Sequence, residues 1–340
     1  MRVVVIGAGI VGAAAAYELV RAGAEAVLVD AAHQGRATAA GAGIISPWTG
    51  RAEDPLGVAG AGYYPGLLAA LAEDGRYDVG HRTVGALVLL PPDETAAEQI
   101  RARVTARAAA DPHAGEVTTV DAAEARRLFP ALGHSGSGFQ GTALHLSGAA
   151  RLDGRRLRAA LVAAAERHGL RVLSGTASLE ARDGRVRGVT VGGEPVPADA
   201  VVAAAGAWSP ALLGPAGVHI DVVPQRGQIA HLRLPGADTA NWPVVLPGGS
   251  GHYLLTFDDS RVVVGATRED GTGFDHRVTA GGLAEVLRHA LTVAPGLADA
   301  THLETRVGFR PTSPDGQPLL GARLPRWTAW WSRAASAQRA

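Results

Sequence analysis

Residues 3–12 read Val-Val-Val-Ile-Gly-Ala-Gly-Ile-Val-Gly, and Asp30 ends a second apolar run. This order of strand, glycine turn, helix, strand and acid is typical of the first half of a parallel nucleotide-binding unit. Gly7 permits a tight turn, Gly9 lets a pyrophosphate approach the backbone, and Gly12 allows close helix–strand packing. Because N–H groups and the helix dipole at a helix start attract phosphate, the pattern predicts a dinucleotide site.

Asp30 narrows the choice of dinucleotide. An acid at the end of the second strand is placed to accept hydrogen bonds from ribose hydroxyls, and it repels a 2′-phosphate. The sequence therefore favours FAD or NAD over NADP.

Two missing residue types limit the chemistry of the side chains. The chain has no Cys and no Lys, so every basic side chain other than His is Arg. These absences exclude thiol nucleophiles, disulfides, thiolate metal sites, cysteine-linked flavin and Schiff bases. The twelve histidines show no metal-binding spacing, and no metal is expected. We therefore expect a cofactor to supply the reaction chemistry.

Charge and hydropathy restrict the partners. Lys plus Arg and Asp plus Glu are equal in number, which gives a formal net charge of zero, and no basic run is present. Nucleic acid is therefore not an expected partner. The apolar amino terminus resembles neither a signal peptide nor a membrane span. We expect a cytoplasmic protein without stable membrane insertion.

The remaining pattern predicts a second, mainly antiparallel region. Strands are expected at 227–234, 251–256 and 261–266, followed by an amphipathic helix over 279–293. An Arg/Ala/Glu helix over 93–110 is interpreted as a solvated face without function. The predicted fold class is α/β with an α+β substrate part, in which a Rossmann-type domain is interrupted by an inserted antiparallel-sheet domain.

Six blocks occur in the order found in one known family, and the chain resembles the D-amino-acid oxidase and glycine oxidase group of FAD-dependent oxidoreductases over residues 1 to 325. The blocks are GAGIVG (7–12), AAGAGIISP (39–47), AAGAWS (204–209), PQRGQ (224–228), RVVVGAT (261–267) and GFRPTSPDGQPLLG (308–321).

This resemblance implies a non-covalent FAD and the oxidation of a small amino acid or amine. In such a reaction, hydride passes from Cα to flavin N5, the imine hydrolyses in water, and O2 or another acceptor reoxidises the flavin. The resemblance also implies a discontinuous FAD-binding domain at 1–50, 145–215 and 300–340. The substrate-binding domain would comprise 51–144 and 216–299.

The resemblance assigns roles to individual positions. The ADP half would be held by Gly7, Gly9, Gly12 and Asp30, and Thr38 would reach the phosphates. Gly43 and Ile44 would lie against the flavin ring, and the backbones of Ala177 and Gly206 would contact the adenine side.

Two residues are expected to hold the substrate carboxylate. Arg310 matches the arginine of the family's Gly-x-Arg-Pro motif, and a planar guanidinium binds a carboxylate through two parallel bonds. Tyr253 matches a tyrosine on a neighbouring strand that helps to hold the same group. The alternatives are structural: Arg310 could satisfy loop carbonyls, and Tyr253 could be a half-buried strand residue.

Two other functions remain open from the sequence. An NAD-linked dehydrogenase would share the opening glycine motif, although it would not share the blocks at 224–228 and 308–321. A non-catalytic remnant with an incomplete flavin site would be compatible with the unusual carboxyl terminus.

The tail after Leu324 departs from the family. Relatives continue with a strand, a glycine turn and a helix, whereas this chain reads PRWTAWWSRAASAQRA. A two-base shift of the reading frame permits a strand and glycine turn of the family's type. We hypothesise that a frameshift near Pro325 truncates or replaces the family's terminus, and we expect weak FAD retention as a result.

Overall fold

The computed structural model describes residues 1–75, 77–134, 137–182 and 185–321. The chain forms two compact units that are each discontinuous. Unit 1 comprises Met1–His33, Ala165–Gln225 and the described residues from Arg310 to Gly321, and unit 2 comprises Gln34–Ala164 and Arg226–Phe309.

Eight α-helices lie in the described part of the chain: α1 Ile10–Arg21, α2 Ala37–Ala40, α3 Pro55–Asp74, α4 Glu94–Ala109, α5 Ala122–Leu128, α6 Gly154–Arg167, α7 Ser209–Leu213 and α8 Ala280–Val293. Short 3-10 helices occur at Pro47–Thr49, Pro112–Ala114, Pro130–Leu132, Gly206–Trp208, Gly214–Ala216 and Pro295–Leu297.

The strands of the described residues are β1 Arg2–Ile6, β2 Glu25–Asp30, β3 Ile44–Ile45, β4 Arg82–Thr83, β5 Ala86–Leu89, β6 Val117–Val120, β7 Gly133–His134, β8 Ser137–Gly138, β9 Ala143–Leu146, β10 Ala150–Arg151, β11 Arg171–Ser174, β12 Ala177–Arg182, β13 Arg185–Val191, β14 Glu194–Pro197, β15 Ala200–Ala203, β16 Val223–Arg233, β17 Val244–Pro247, β18 Tyr253–Thr256, β19 Arg261–Gly265 and β20 Thr301–Thr312.

Unit 1 is built on a parallel sheet with strand order β11-β2-β1-β15. Its central strand β1 is an uninterrupted apolar run that is buried from Val3 to Ile6, as expected for a parallel strand covered on both faces. Helix α1 connects β1 to β2. The helix begins at Ile10, because Gly9 has the extended backbone of an N-cap.

A second sheet of unit 1, β12-β13-β14, is antiparallel. Apolar residues of this sheet join those of β1 and β2 in one buried cluster, which consists of Val4, Ile6, Val27, Val29, Ala177, Val189 and Val191. The cluster ties both sheets of unit 1 together through apolar burial.

Unit 2 contains an eight-stranded sheet with the order β20-β16-β19-β18-β17-β5-β9-β6. The pairs from β16 to β17 and from β5 to β6 are antiparallel, and β17 pairs with β5 in parallel. The antiparallel pairing of β16, β19 and β18 agrees with the strands expected from the alternating pattern. Strand β17 and its parallel pairing with β5 were not anticipated.

Helices α5 and α8 of unit 2 begin at side-chain caps. The Thr279 hydroxyl accepts a hydrogen bond from the Gly282 N–H at 3.2 Å, and Asp121 accepts from the Glu124 N–H at 2.8 Å. Asp121 and Glu124 have the spacing of a reciprocal capping box, but the Glu124 carboxylate pairs with Arg127. Each cap satisfies an N–H group that has no acceptor within its own helix.

The predicted fold class is confirmed by a parallel-sheet unit combined with antiparallel sheets. The compact units divide the chain at positions other than the predicted domain limits of 1–50, 145–215 and 300–340, so the assignment of residues 34–50 and 145–164 to the FAD-binding domain stays a prediction. The frameshift hypothesis concerns residues after Pro325, which lie outside the described residues. None of the described helices is both long and apolar enough to cross a membrane, and the cytoplasmic location stays a prediction.

Candidate functional site

The four parallel strands of unit 1 end at one edge of their sheet. The glycine turn follows β1, Asp30 closes β2, Gly175 follows β11, and Ala204 follows β15. Backbone hydrogen bonds link these ends, since Ala204 N–H donates to the Ile6 carbonyl at 2.8 Å and Gly175 N–H donates to the Asp30 carbonyl at 3.0 Å. The carboxyl edge of a parallel sheet is where such folds bind ligands.

The close backbone packing of the turn requires two of its glycines. Gly7 has φ +101°, and a Cβ there would lie 2.4 Å from the Ala204 carbonyl oxygen. A Cβ on Gly12 would lie 1.8 Å from the Gly7 carbonyl oxygen. Both positions therefore need glycine for the fold itself, independently of any ligand.

The backbone conformation of Gly9 does not itself require glycine. Its φ of −69° and ψ of −178° are accessible to every residue type. It serves as the N-cap of α1 without a side-chain cap, and the first turn of that helix carries no acidic residue. The helix start thus presents backbone N–H groups that have no acceptor within the helix, as phosphate binding requires.

Asp30 is held in a defined orientation at the same edge. Its Oδ1 atom accepts a hydrogen bond from the Ala32 N–H at 3.0 Å. Beyond it, the rings of His33 and Trp208 stack with centroids 4.8 Å apart and an interplanar angle of 12°. This aromatic pair was not identified from the sequence, because its members belong to distant segments.

Ala177 and Gly206 also belong to this part of unit 1. Ala177 is buried and begins β12, where it pairs with Val191. Gly206 begins the 3-10 helix that ends at Trp208, and no atom lies within 4 Å of where its Cβ would be. Unit 1 thus brings together all six positions assigned to the ADP half and adenine side, namely Gly7, Gly9, Gly12, Asp30, Ala177 and Gly206.

These observations fit the ADP portion of FAD. The turn would receive the pyrophosphate at the start of α1, and Asp30 would accept a ribose hydroxyl. Gly9 distinguishes a phosphate site from a turn that needs glycine only for its backbone. Its backbone conformation does not require glycine, whereas close approach of a phosphate does.

Replacing Gly9 by Ala therefore tests the turn. We expect the dissociation constant of FAD to rise at least about tenfold, because the added methyl group lies where the pyrophosphate approaches. The free energy of unfolding without FAD should change by less than about 1 kcal/mol, since the backbone suits any residue. Fluorescence titration with FAD and urea unfolding measure the two quantities.

Gly66→Ala provides the matched control, because no atom lies within 4 Å of its Cβ position in α3. It should leave FAD affinity unchanged. An unaltered FAD affinity in Gly9→Ala would contradict the assignment of this turn to the pyrophosphate.

Arg310 lies near the end of β20 and is partly buried. Its Nη1 atom donates a short hydrogen bond to the Gln225 side-chain oxygen. This contact places the guanidinium beside the PQRGQ segment, which was singled out in the sequence. Gln225 was not identified as a partner of Arg310, since the two residues are far apart in the chain.

Unit 2 contains the remaining predicted positions. Thr38 lies in α2, and Gly43 has φ +89° next to the Leu152 carbonyl oxygen. Leu152 N–H donates to the Gly43 carbonyl at 2.9 Å. Ile44 pairs with Arg151 across β3 and β10. The fold alone requires glycine at position 43, so Gly43 gives no independent sign of a flavin.

Arg151 is a buried residue that the sequence analysis missed. Its guanidinium donates to the Gly80 carbonyl and to Asp258, each at 2.6 Å. Two guanidinium groups lie over the Phe257 ring, with the Arg151 Cζ atom 4.7 Å and the Arg261 Cζ atom 4.1 Å from its centroid. These contacts hold β10, and with it the strand partner of Ile44.

Tyr253 lies at the start of β18 opposite Gly265 of β19. A Cβ on Gly265 would lie 2.9 Å from the Tyr253 hydroxyl oxygen and 2.7 Å from Ile229. Tyr253 and Ile44 pack against the same buried apolar cluster, which includes Trp48 and Ile229. Unit 2 therefore brings together two of its predicted site residues.

We expect Gly265→Ala to displace the Tyr253 ring. If the Tyr253 hydroxyl binds the substrate, the loss of its hydrogen bond should raise KM about tenfold. Tyr253→Phe should have a similar effect. The double variant should be no weaker than the more affected single variant, because both changes remove the same contact.

Gly281→Ala serves as the control for Gly265→Ala, since its Cβ would meet nothing within 4 Å. Steady-state kinetics on all four variants measures the effect. Additive losses in the Gly265 and Tyr253 variants would contradict a shared mechanism.

Arg226 and its partners form a polar network next to Gln225. The Arg226 side chain binds Glu269 at 2.7 Å and Asp275 at 2.9 Å, and the buried Gln228 amide donates to Glu269. Burial alone would raise the pKa of Glu269, but hydrogen bonds from Arg226, Gln228 and Thr267 outweigh it and lower that pKa. The network anchors the loop that follows β19 to strand β16.

His252, beside Tyr253, packs against helix α8. Its ring stacks on His289 at a centroid distance of 3.7 Å, and its Nε2 lies 3.6 Å from Glu285. Burial, followed by the neighbouring His289, lowers the pKa of His252. No group of three or more potential metal ligands occurs within the described ranges.

The chain is similar to known proteins along most of its length. A family model described as FAD dependent oxidoreductase matches residues 2–333. Glycine oxidase of Pseudomonas aeruginosa is 33% identical over 338 residues, which cover 97% of this chain and 88% of the relative. The uncharacterized oxidoreductase YurR of Bacillus subtilis is 43% identical over 324 residues, covering 94% and 85%.

A solved structure is also similar along most of the chain. The crystal structure of iminodiacetate oxidase from Chelativorans sp. BNC1 has 49% sequence identity and a TM-score of 0.87. The similarity covers 92% of this chain and 84% of that structure.

Proposed function

The chain belongs to the family of FAD-dependent oxidoreductases, and on that premise we propose that it oxidises the amine of a small amino acid. The expected resemblance and the choice of FAD over NAD are confirmed by this membership. The proposal concerns the substrate, the residues that bind it and the electron acceptor. Its support comes from relatives named glycine oxidase and iminodiacetate oxidase.

Arg310 carries the proposal. A guanidinium on a strand end, oriented by the Gln225 side chain, offers two parallel N–H donors to a carboxylate. Two such bonds fix both the position and the rotation of an amino acid, which directs its α-carbon. Neutral amines without a carboxylate would lose this interaction.

Tyr253 and Ile44 are the proposed contributions of unit 2. The Tyr253 hydroxyl would add a hydrogen bond to the substrate carboxylate, and Ile44 would form an apolar surface against the flavin ring. Both side chains pack against one buried apolar cluster, so the polar contacts to the substrate would lie next to an apolar surface. Thr38 and Gly43 are proposed to lie along the cofactor.

FAD, when bound, supplies the two-electron acceptor that no side chain of this chain can provide. Unit 1 would hold its ADP half through the glycine turn and Asp30. Arg310 would bind and orient the substrate, and a neutral substrate amine removes the need for a side-chain base. O2 or another small acceptor would complete the cycle.

The direct test is product analysis with FAD-loaded protein. We expect glycine, N-methylglycine, iminodiacetate or D-alanine to yield the corresponding keto or aldehyde acid together with ammonia or an amine. D-Proline should yield a cyclic imine, which opens in water to an amino keto acid without release of ammonia. Oxygen consumption and dye reduction should be followed in parallel, since they distinguish an oxidase from a dehydrogenase. If the protein oxidises none of these compounds with either O2 or the dye, the proposal is contradicted.

A further inference from the structure

Two arginine side chains of helix α4 bind one short loop of unit 2, and that loop carries a third arginine. Arg103 Nε and Arg107 Nη1 donate to the Gly50 carbonyl at 3.1 and 2.7 Å. Arg51, the next residue of that loop, donates a short hydrogen bond to the Gly249 carbonyl. We refer to Arg51, Arg103 and Arg107 as the arginine cluster.

No carboxylate compensates the charge of this cluster. Within the described ranges, none of the three guanidiniums forms an ion pair, whereas Arg101 of the same helix pairs with Glu98 at 3.1 Å. Burial, followed by the charges of Arg107 and Arg51, lowers the pKa of Arg103. A concentration of like charge of this kind favours an anion beside it.

Donors of the cluster remain available for such an anion. Within the described residues, the side-chain hydrogen bonds of Arg103 use only Nε, and those of Arg51 use only Nη2. Both Nη atoms of Arg103 and the Nε of Arg51 have no acceptor in the described part of the chain. Planar N–H groups of this type match the two oxygens of a carboxylate.

The cluster adjoins the proposed substrate residues of unit 2. Gly50 and Arg51 follow the 3-10 helix Pro47–Thr49, which comes directly after β3 and Ile44. Gly249 lies in the loop that leads into β18 and Tyr253. Ile44 and Tyr253 pack against a cluster that includes Trp48 and Ala108, the neighbours of Thr49 and Arg107.

We propose that the arginine cluster binds a second carboxylate of the substrate, so that the preferred substrate is a small amine with two carboxylates. The inference rests on the proposed function, in which Tyr253 of the same unit contacts the first carboxylate. It adds a specificity site formed by residues outside every motif of the sequence analysis.

Iminodiacetate and N-methylglycine form a matched pair of probes, because they differ by a single carboxylate. We expect kcat/KM for iminodiacetate to exceed that for N-methylglycine. Arg51→Gln and Arg103→Gln should each lower kcat/KM for iminodiacetate about tenfold and change it less than about twofold for N-methylglycine. Arg101→Gln is the control on the same helix and should affect neither.

Binding without turnover provides a second readout. Oxydiacetate carries two carboxylates and no amine, and methoxyacetate lacks one carboxylate. We expect oxydiacetate to raise the melting temperature of the wild-type protein more than methoxyacetate does, and Arg51→Gln to abolish that difference. Equal stabilisation by oxydiacetate in wild type and variant would overturn the inference.

The outcomes separate this inference from the function on which it rests. Turnover of both amines, with an unchanged preference in the Arg51 and Arg103 variants, would overturn only the second-carboxylate site. If phosphate and oxydiacetate stabilise the protein equally and the Arg51 and Arg103 variants keep the substrate preference, the cluster is a general anion site. That result would also overturn the second-carboxylate site. Failure to oxidise any amine would overturn both.

Discussion

Replacing Arg310 by Met is expected to lower kcat/KM for amino acids about 100-fold. Two charge-assisted hydrogen bonds to a carboxylate contribute about 3 kcal/mol, and each 1.4 kcal/mol corresponds to a factor of about ten. Arg310→Lys should lie between the wild type and Arg310→Met, because it keeps the charge and loses the fork geometry. Steady-state kinetics with glycine or the best amino acid measures the loss.

The comparison of glycine with glycinamide distinguishes binding from a structural role. If Arg310 binds the carboxylate, Arg310→Met should abolish the preference for glycine over glycinamide. If Arg310 only satisfies loop carbonyls, both activities and the melting temperature should fall together. Arg233→Gln, an exposed change at the end of β16, is the control and should alter none of these quantities.

The second large effect concerns His231 in the middle of strand β16. Its side chain is 2% exposed, and neither ring nitrogen has a hydrogen-bond partner among the described residues. Burial, followed by the charges of Arg306 and Arg261, lowers the pKa of His231 to about 3. The folded protein therefore keeps this ring neutral at every pH near neutrality.

This pKa shift predicts a pH dependence of the free energy of unfolding. Above about pH 6.5 the ring is neutral in both the folded and the unfolded protein, so its protonation lowers the free energy of unfolding no further. Below that pH the unfolded chain binds a proton that the folded chain rejects, and stability falls until about pH 3. At pH 5 the expected loss from this one group is about 2 kcal/mol.

His231→Leu should remove this part of the pH dependence. At pH 7 we expect the variant to be at least as stable as the wild type, because the ring nitrogens of the histidine are buried without partners. Urea unfolding at pH 5 and pH 7 measures both effects. The exposed change His302→Asn is the control, and equal pH slopes in wild type and His231→Leu would contradict the shift.

The sequence predicted the first strand, helix and second strand of unit 1 well, because the residues that determine them are adjacent in the chain. The run from Val3 to Asp30 fixes a strand, a turn, a helix and a second strand through adjacent residues. Helix α8 was similarly predictable from its apolar periodicity and the Thr279 cap. In each case the stabilising contacts lie within a few residues of the chain.

The unpredicted features depend on contacts between distant segments. The parallel pairing of β17 with β5 joins strands far apart in sequence, and nothing within the run Val244–Pro247 identifies its partner. Helix α4 was expected to be a solvated face, yet Arg103 and Arg107 turn half-buried toward the Gly50 loop. That correction follows from tertiary packing, which composition alone does not report.

The anaerobic absorbance spectrum of the FAD-loaded protein tests the central claim most directly. The spectrum is recorded before and after addition of glycine, D-alanine, D-proline, N-methylglycine and iminodiacetate in turn. We predict that at least one of them bleaches the flavin band, and that Arg310→Met slows this bleaching about 100-fold. A bound flavin that every one of these amino acids leaves oxidised would contradict the account.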